Sequence, residues 1–198
     1  MATVESVLDF DTCLMLRVRE EHVPSFELLL TRHRMPVVRH LYRMVHNQTI
    51  AEELAQDVFV RVYRSRLRYE PSAKFTTWLF HIATNVALNW MRDTRKHLAE
   101  IHTDWLSSEA RRFELADSRP RADEAMMRQH RAAEIRGAIH TLPGKQRAAV
   151  LMHKYEGMEY CQIAEVLDCS IPALKSLLFR AYGTLRRRLA HLDPLTKR

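Results

Sequence analysis

Four glycines among 198 residues exclude the Gly-rich phosphate loops and most of the turn-rich β architectures that depend on positive φ and close backbone approach. No HExxH pair is present either, and Glu52, Glu53 and Asp57 lie close together in the chain with no partner cluster, so no catalytic constellation is expected. The three cysteines, Cys13, Cys161 and Cys169, are an odd number and imply no disulfide framework. Cys161 and Cys169 have His153 upstream but lack the CxxC or HxxxH pair that would complete a zinc site, so neither a metal nor a cofactor is expected. The histidines His22, His33, His40, His46 and His81 are scattered, which suits solvated or core-edge positions better than catalysis. No segment approaches about 18 uninterrupted apolar residues, and no basic stretch followed by an apolar run opens the chain. A cytoplasmic protein without membrane insertion is the expectation.

Apolar residues make up 46% of the chain and recur at spacings of three and four, which predicts an all-α protein. Helices are expected over about 10–30, with a break near Pro24 and Ser25, and over Ser25 to Met44, with a kink at Pro36. Thr49, followed by Glu52, reads as the cap of a third helix that runs through Leu54, Val58 and Val62 and ends before the Tyr69–Ser72 loop. In the next helix Phe75, Trp78, Leu79, Ile82, Ala83, Val86, Ala87 and Trp90 form an apolar stripe. Its opposite side bears Thr76, Thr77, His81, Thr84, Asn85, Asn89 and Arg92, with few charges before Arg92, Arg95 and Lys96. An ordinary solvent face mixes Lys and Glu, so this composition is unusual.

Periodicity fails over 97–121, where Ser107, Ser108, Asp117, Ser118, Arg119 and Pro120 suggest a flexible linker with a short helix around Leu106 to Leu115. The chain thus divides into two small helical domains, 10–96 and 122–192. The second opens with a helix over Ala122 to His140, is interrupted at Leu142, Pro143 and Gly144, and continues over Lys145 to Tyr155. A short helix around Glu159 to Leu167, a turn at Asp168 to Ser170 and a final helix then give helix-turn-helix order. Ile171, Leu174, Leu178 and Leu185 are expected inward, leaving Pro172, Ala173, Lys175, Ser176 and Arg180 on the leading face.

A net charge of +7 and pI near 9.6 suit a polyanionic partner, and the distribution of that charge is more telling than its total. Lys175, Arg180, Arg186, Arg187, Arg188, Lys197 and Arg198 stand against Asp193 alone beyond residue 170, so most of the excess lies there. Charge and turn order together point to duplex DNA, bound through a salt-dependent attraction to phosphates.

Two blocks extend this reading. AEELAQDVFVRVYR with AKFTTWLFHIATNVALNWMRDTRK, residues 51–64 and 73–96, resembles region 2 of the bacterial sigma-70 family. LPGKQRAAVLMHKYEGMEYCQIAEVLDCSIPALKSLLFRAYGTL, residues 142–185, resembles its region 4, and the chain as a whole is similar to the small extracytoplasmic-function group. The resemblance implies a specificity subunit that binds the β′ and β subunits of core RNA polymerase, reads the −35 and −10 promoter elements and favours strand opening. It assigns core binding to Asp57, Val58, Phe59, Arg61, Val62 and Arg64. It places the −10 strand along Thr76, Thr77, Trp78, His81, Asn85 and Asn89, with a base-capturing pocket in the loop from Arg68 to Phe75 and backbone contacts from Lys74, Arg92, Arg95 and Lys96. The −35 duplex would meet Pro172, Ala173, Lys175, Ser176 and Arg180. Ala173 and Leu177 depart from the Thr and Arg common there, removing a hydroxyl and a charge, and Cys161 stands where a polar residue is common. The group lacks an autoinhibitory N-terminal acidic region and is commonly held by an anti-sigma protein, often one anchored in the inner membrane. A helix-turn-helix regulator that never joins polymerase is the main alternative, and a helical adaptor that does not bind DNA is the other.

Overall fold

The computed structural model describes residues 9–101 and 122–192, and among them every regular element is helical. The first unit comprises α1 (Phe10–Arg19), α2 (Val23–Val45), α3 (Gln48–Arg64), a 3-10 turn at Arg66–Arg68 and α4 (Phe75–Ile101). The second comprises α5 (Ala122–His140), α6 (Gly144–Tyr155), α7 (Tyr160–Val166) and α8 (Ile171–Arg188).

Helix boundaries follow local chemistry more than the apolar pattern alone. Pro24 sits in the first turn of α2, where its missing N–H removes no intrahelical bond, so it starts the helix rather than breaking one. Pro36 lies within an α2 that stays helical throughout. The cap of α3 is Asn47, whose side chain accepts from Ile50 N at 3.1 Å, two residues before the expected Thr49. Asn at that position lets Gln48 begin the helix. α4 runs on to Ile101, past the expected boundary at 96, because nothing in Thr94, Arg95 or Lys96 disfavours helix. The expected short helix over 106–115 lies outside the described residues.

Leu29, Val37, Leu41, Met44, Val58, Val62, Phe75 and Leu79 are sealed in the middle of the first unit. Each buried side chain of this size contributes roughly 2 kcal/mol through removal of apolar surface from water. In the second unit Leu151, Met152, Ile163 and Leu174 play that part. Leu174 and Leu178 face inward as expected, but Ile171 is 43% exposed. It occupies the first position of α8, ahead of the turn that packs.

The two units share a boundary, with α6 and α7 lying on α2 and α4, so the buried apolar residues form one continuous cluster. At this seam Gly144 comes so close to α4 that a Cβ there would stand 2.9 Å from Leu88 Cδ2. Arg147, 5% exposed, reaches across it: the guanidinium donates to the Met44 carbonyl on α2, to the His140 carbonyl on α5 and, at 3.3 Å, to the Leu142 carbonyl. The first two are carbonyls at helix ends, which have no intrahelical donor, and the third lies in the connection between α5 and α6. Burial, and secondarily Arg95, pushes the Arg147 pKa down to about 10, so it remains charged at neutral pH.

Candidate nucleic-acid interface

α8 is aimed by its cap and its core face. Ser170 Oγ accepts from Ala173 N at 3.3 Å, Pro172 fits the first turn, and Leu174, Leu178 and Ala181 seal the inner side. α7, which packs on α8, starts at a capping box, in which the Glu159 side chain serves the third residue's amide while Gln162 Oε1 accepts from Glu159 N at 2.9 Å. Gly157, at φ +63°, makes the turn between α6 and α7 in a conformation that side chains disfavour.

With the inner side fixed, Pro172, Ala173, Lys175, Ser176 and Arg180 all stand exposed on one face, as the sequence predicts. Ser176 Oγ donates back to Pro172 O at 3.1 Å and Arg180 Nε to Ser176 O at 3.3 Å, so both side chains lie along the helix in this form. Sequence reasoning missed Phe179. It is 81% exposed beside Arg180, a poor place for a large aromatic ring unless something covers it. Its place one turn beyond Ser176, off the buried 174–178–181 stripe, was the available signal.

α4 distributes its polar residues over three environments. Asn85, Asn89 and Arg92 are exposed, and Thr76 and His81 are half-buried. Thr77 and Thr84, one face apart by two turns, are 2% and 0% exposed. Thr77 Oγ1 accepts from Gln162 Nε2 of α7 at 3.3 Å, and Thr84 Oγ1 lies 3.2 Å from His40 Nε2 and 4.0 Å from the Met152 sulfur of α6. In this arrangement Thr77 presents no surface to a strand.

The loop from Arg68 to Phe75 closes on an aromatic cluster. Tyr69 and Phe75 are 2% and 0% exposed; Tyr69 lies edge-on to Trp78 at 4.8 Å between centroids and its hydroxyl donates to Thr12 Oγ1 at 3.5 Å. Burial raises the Tyr69 pKa, which keeps the phenol protonated. Phe75 is therefore a core residue in this form, and the accessible part of the loop consists of Arg68, Glu70, Pro71, Ser72 and Lys74.

A cleft of about 440 Å³ between α4 and the start of α6 has Leu88 and Met91 on its floor and Arg92, Arg95, Lys96 and Lys145 around it. Arg92, paired with Asp93 at 3.3 Å, and Arg95 and Lys96 of α4, with Lys145 of α6, make a net positive rim beside the open Asn85 and Asn89.

α3 separates cleanly into two sides. Val58, Phe59 and Val62 are 0%, 6% and 0% exposed and pack inside, so these three expected partner contacts instead hold the helix in place. Their apolar side chains gain more from the core than from solvent. The outer side presents Arg61, paired with Asp57 at 2.9 Å, together with Arg64 and the exposed Val60 and Tyr63, and the 3-10 turn that follows adds the exposed Leu67.

The described residues hold no cluster of His, Cys, Asp and Glu suited to a metal, and no described helix is long and apolar enough to cross a membrane. Cys13 and Cys161 are exposed, with Cys161 Sγ 4.0 Å from Glu159 Oε2, and Cys169 is half-buried.

Comparison with known proteins gives a consistent picture. The Sigma-70 region 2 family pattern matches residues 29–97 and the Sigma-70, region 4 pattern matches 132–185. The RNA polymerase sigma factor CarQ of Myxococcus xanthus is 34% identical over 179 residues, spanning 90% of this chain and 97% of CarQ. The RNA polymerase sigma-H factor of Pseudomonas aeruginosa is 28% identical, covering 92% of this chain and 95% of its own length. An ECF RNA polymerase sigma-E factor of Haemophilus influenzae is also 28% identical, covering 92% and 96%. Among solved structures, CnrH in complex with the cytosolic domain of CnrY is similar with a TM-score of 0.67 at 20% identity, covering 93% of this chain and all of that one. RpoE in complex with the anti-sigma factor NepR from Bartonella quintana gives 0.64 at 20% identity, over 87% and 98%. At that identity the structural likeness speaks for the fold.

Proposed function

The chain belongs to the extracytoplasmic-function group of the sigma-70 family, and on that premise we propose how its residues divide the work of a sigma factor. It directs promoter-specific transcription initiation by binding core RNA polymerase and recognising promoter DNA. The observation that carries the reading is the occurrence of both regions in one chain, in order, each presenting an exposed polar or basic helix face.

The α8 face reads duplex −35 DNA. Lys175 and Arg180 supply phosphate or base-edge hydrogen bonds, Ser176 a short hydroxyl, and Phe179 an apolar contact of the kind a thymine methyl offers. Ala173 and Leu177 bring neither hydroxyl nor charge, so this face relies on fewer polar contacts than the family pattern. The −10 strand meets α4 through Asn85 and Asn89, with Thr76, His81 and Trp78 beside them and Arg92, Arg95, Lys96 and Lys74 along the backbone. Asn amides can exchange hydrogen bonds with base edges without the desolvation of a charge. The accessible residues of the 68–74 loop form the rim where an extruded base would settle, repaying a few kcal/mol of lost stacking.

The outer side of α3, with Asp57, Arg61 and Arg64 around Val60 and Tyr63, docks together with Leu67 of the next turn on the β′ subunit, and the second unit docks on β. The domain limits are 10–96 and 122–192 about a linker. The factor acts in the cytoplasm, where its polymerase is, and contributes no catalytic residue: binding energy recruits the enzyme, and contacts made only with separated strands favour opening. An anti-sigma protein regulates it, as the pairing of CnrH with CnrY and of RpoE with NepR suggests by analogy. Co-purification with core polymerase at moderate salt, followed by initiation from a promoter library, tests the assignment. Core enzyme that gains no new start sites from this chain would overturn it.

A further inference from the structure

A second cleft, of about 330 Å³, lies among α2, α5 and α6 and shares no residue with the α4 and α8 faces. Ile139 and Leu151 are buried at its floor, Ile135 and Tyr155 stand exposed at its mouth, and Tyr42 is half-buried beside them. Open apolar and aromatic surface in a concave site is what the body of a ligand covers. The charged groups lining the same cleft are all basic. Arg43 is occupied, with its guanidinium over the Tyr155 ring at 4.3 Å and Nη1 3.3 Å from Glu156 Oε1. Arg136 of α5 differs, because no carboxylate among the described residues pairs with it. His46 faces Tyr42 of its own helix at 5.6 Å between ring centroids and His140 of α5 at 5.1 Å. Burial first, then the charges of Arg136 and Arg147, lower the His46 pKa, so the cleft is short of negative charge.

We propose that this cleft is a binding site for a small aromatic acid, a single ring bearing one carboxylate: Arg136 and His46 take the carboxylate, and the ring lies against Tyr42, Tyr155 and Ile135. A carboxylate matches the planar fork of a guanidinium, which can give it two parallel N–H bonds, and a neutral imidazole has one N–H to add. Two tyrosine rings offer the ring offset or edge contact. Size points the same way. The volume is near the lower end of small-molecule pockets, and a helix of about 10 Å diameter does not enter it. An inorganic anion would satisfy Arg136 but leave the apolar floor uncovered.

The walls come from α2 of the first unit and from α5 and α6 of the second, so the full chain is the species to titrate. Benzoate, benzyl alcohol and inorganic phosphate separate the ring from the charge in isothermal calorimetry. Benzoate should bind one to one and saturably. Benzyl alcohol and phosphate should each bind about tenfold more weakly, since each keeps only one of the two halves. Amide shifts on adding benzoate should centre on the residues of α2, α5 and α6 that line the cleft.

Arg136 is exposed, so Arg136→Gln should leave the fold intact, lower benzoate affinity about tenfold and leave benzyl alcohol as it was. Ala132, half-buried on the cleft wall, gives a second variant that does not touch charge. Ala132→Phe fills the space and should abolish binding of benzoate and benzyl alcohol alike, with helicity by circular dichroism unchanged. Benzyl alcohol bound as tightly as benzoate, or benzoate binding that survives Ala132→Phe, would overturn the site. Phosphate bound as tightly as benzoate would do so too, reducing the cleft to a pair of exposed cations. Absence of saturable benzoate binding would overturn the acid and leave the cleft to a side chain of a protein partner. Promoter-specific initiation by the same chain decides the family role independently of all these outcomes.

Discussion

On α8 the face from Pro172 to Arg180 stands open along its length, whereas on α4 the comparable polar face is divided, with Asn85, Asn89 and Arg92 in solvent and Thr77 and Thr84 beneath α6 and α7. Both helices have one apolar side that fixes their rotation and one polar side left over. What separates them is the neighbour. Among the described residues no element covers this face of α8, while α4 lies between the core of its own unit and α6 and α7 of the second. A polar residue on a helix is therefore only a candidate for binding until the position of the next domain is known.

The largest expected effect comes from removing what aims α8. Leu174 is fully buried behind the reading face, and Leu174→Ala should lower unfolding free energy by about 3 kcal/mol through lost transfer and the cavity left behind. Chemical denaturation measures this. A loss below about 1 kcal/mol would mean the face is positioned by something other than the 174–178–181 stripe.

Next in size is the open face itself. Lys175→Ala/Arg180→Ala should weaken duplex DNA binding by about tenfold to a hundredfold and reduce the slope of affinity against salt by about 2, with core-polymerase binding unchanged. An unaltered salt slope would take both residues off the list of phosphate contacts.

On α4 the open and covered halves can be set against one another. Asn85→Ala/Asn89→Ala should cost single-strand binding about 1 kcal/mol, roughly fivefold, and leave thermal stability almost untouched because both side chains are exposed. Thr77→Val should do the opposite, lowering stability through the bond lost from Gln162. If the two substitutions behaved alike, the division of the face would lose its meaning.

The smallest effect concerns acid. His46, capping α2 in the left-handed region at φ 60°, faces His140 of α5 with ring centroids 5.1 Å apart. The His140 pKa is lowered from 6.5 to about 4, by burial first and then by Arg147 and His46, against a raising hydrogen bond to the Val45 backbone. Burial, Arg136 and Arg147 lower that of His46. A depressed pKa makes these residues' contribution complete above about pH 6.5 and progressively lost as pH falls toward about 4, since the unfolded chain then takes up the proton more readily. Both residues keep an open side, so water screens the repulsion and the loss should be modest, below about 1 kcal/mol. His140→Gln should flatten the melting temperature over that pH range, and an unchanged slope would assign the acid response elsewhere.

The all-helical fold, the two-unit order and the exposed Lys175, Ser176 and Arg180 were legible before any coordinate, because three-four periodicity and a Ser170 cap are local properties. The cap of α3 was expected at Thr49 rather than Asn47 because both are good caps, and only the course of the chain chooses between them. Val58, Phe59 and Val62 went to the partner surface because the family motif includes them, although their spacing already marked the inner stripe of α3. Phe179 was passed over because an aromatic residue is expected inside.

Sequence by itself determined that these segments are helical, which stripe turns inward and where positive charge accumulates, since each depends on neighbours within a turn or two. Only the tertiary structure decided that Thr77 and Thr84 are covered, that Arg147 caps helix ends from both units, and that Arg43 meets Glu156. Those contacts join residues far apart in the chain and arise when one packed unit settles on another, an event that helical periodicity does not encode.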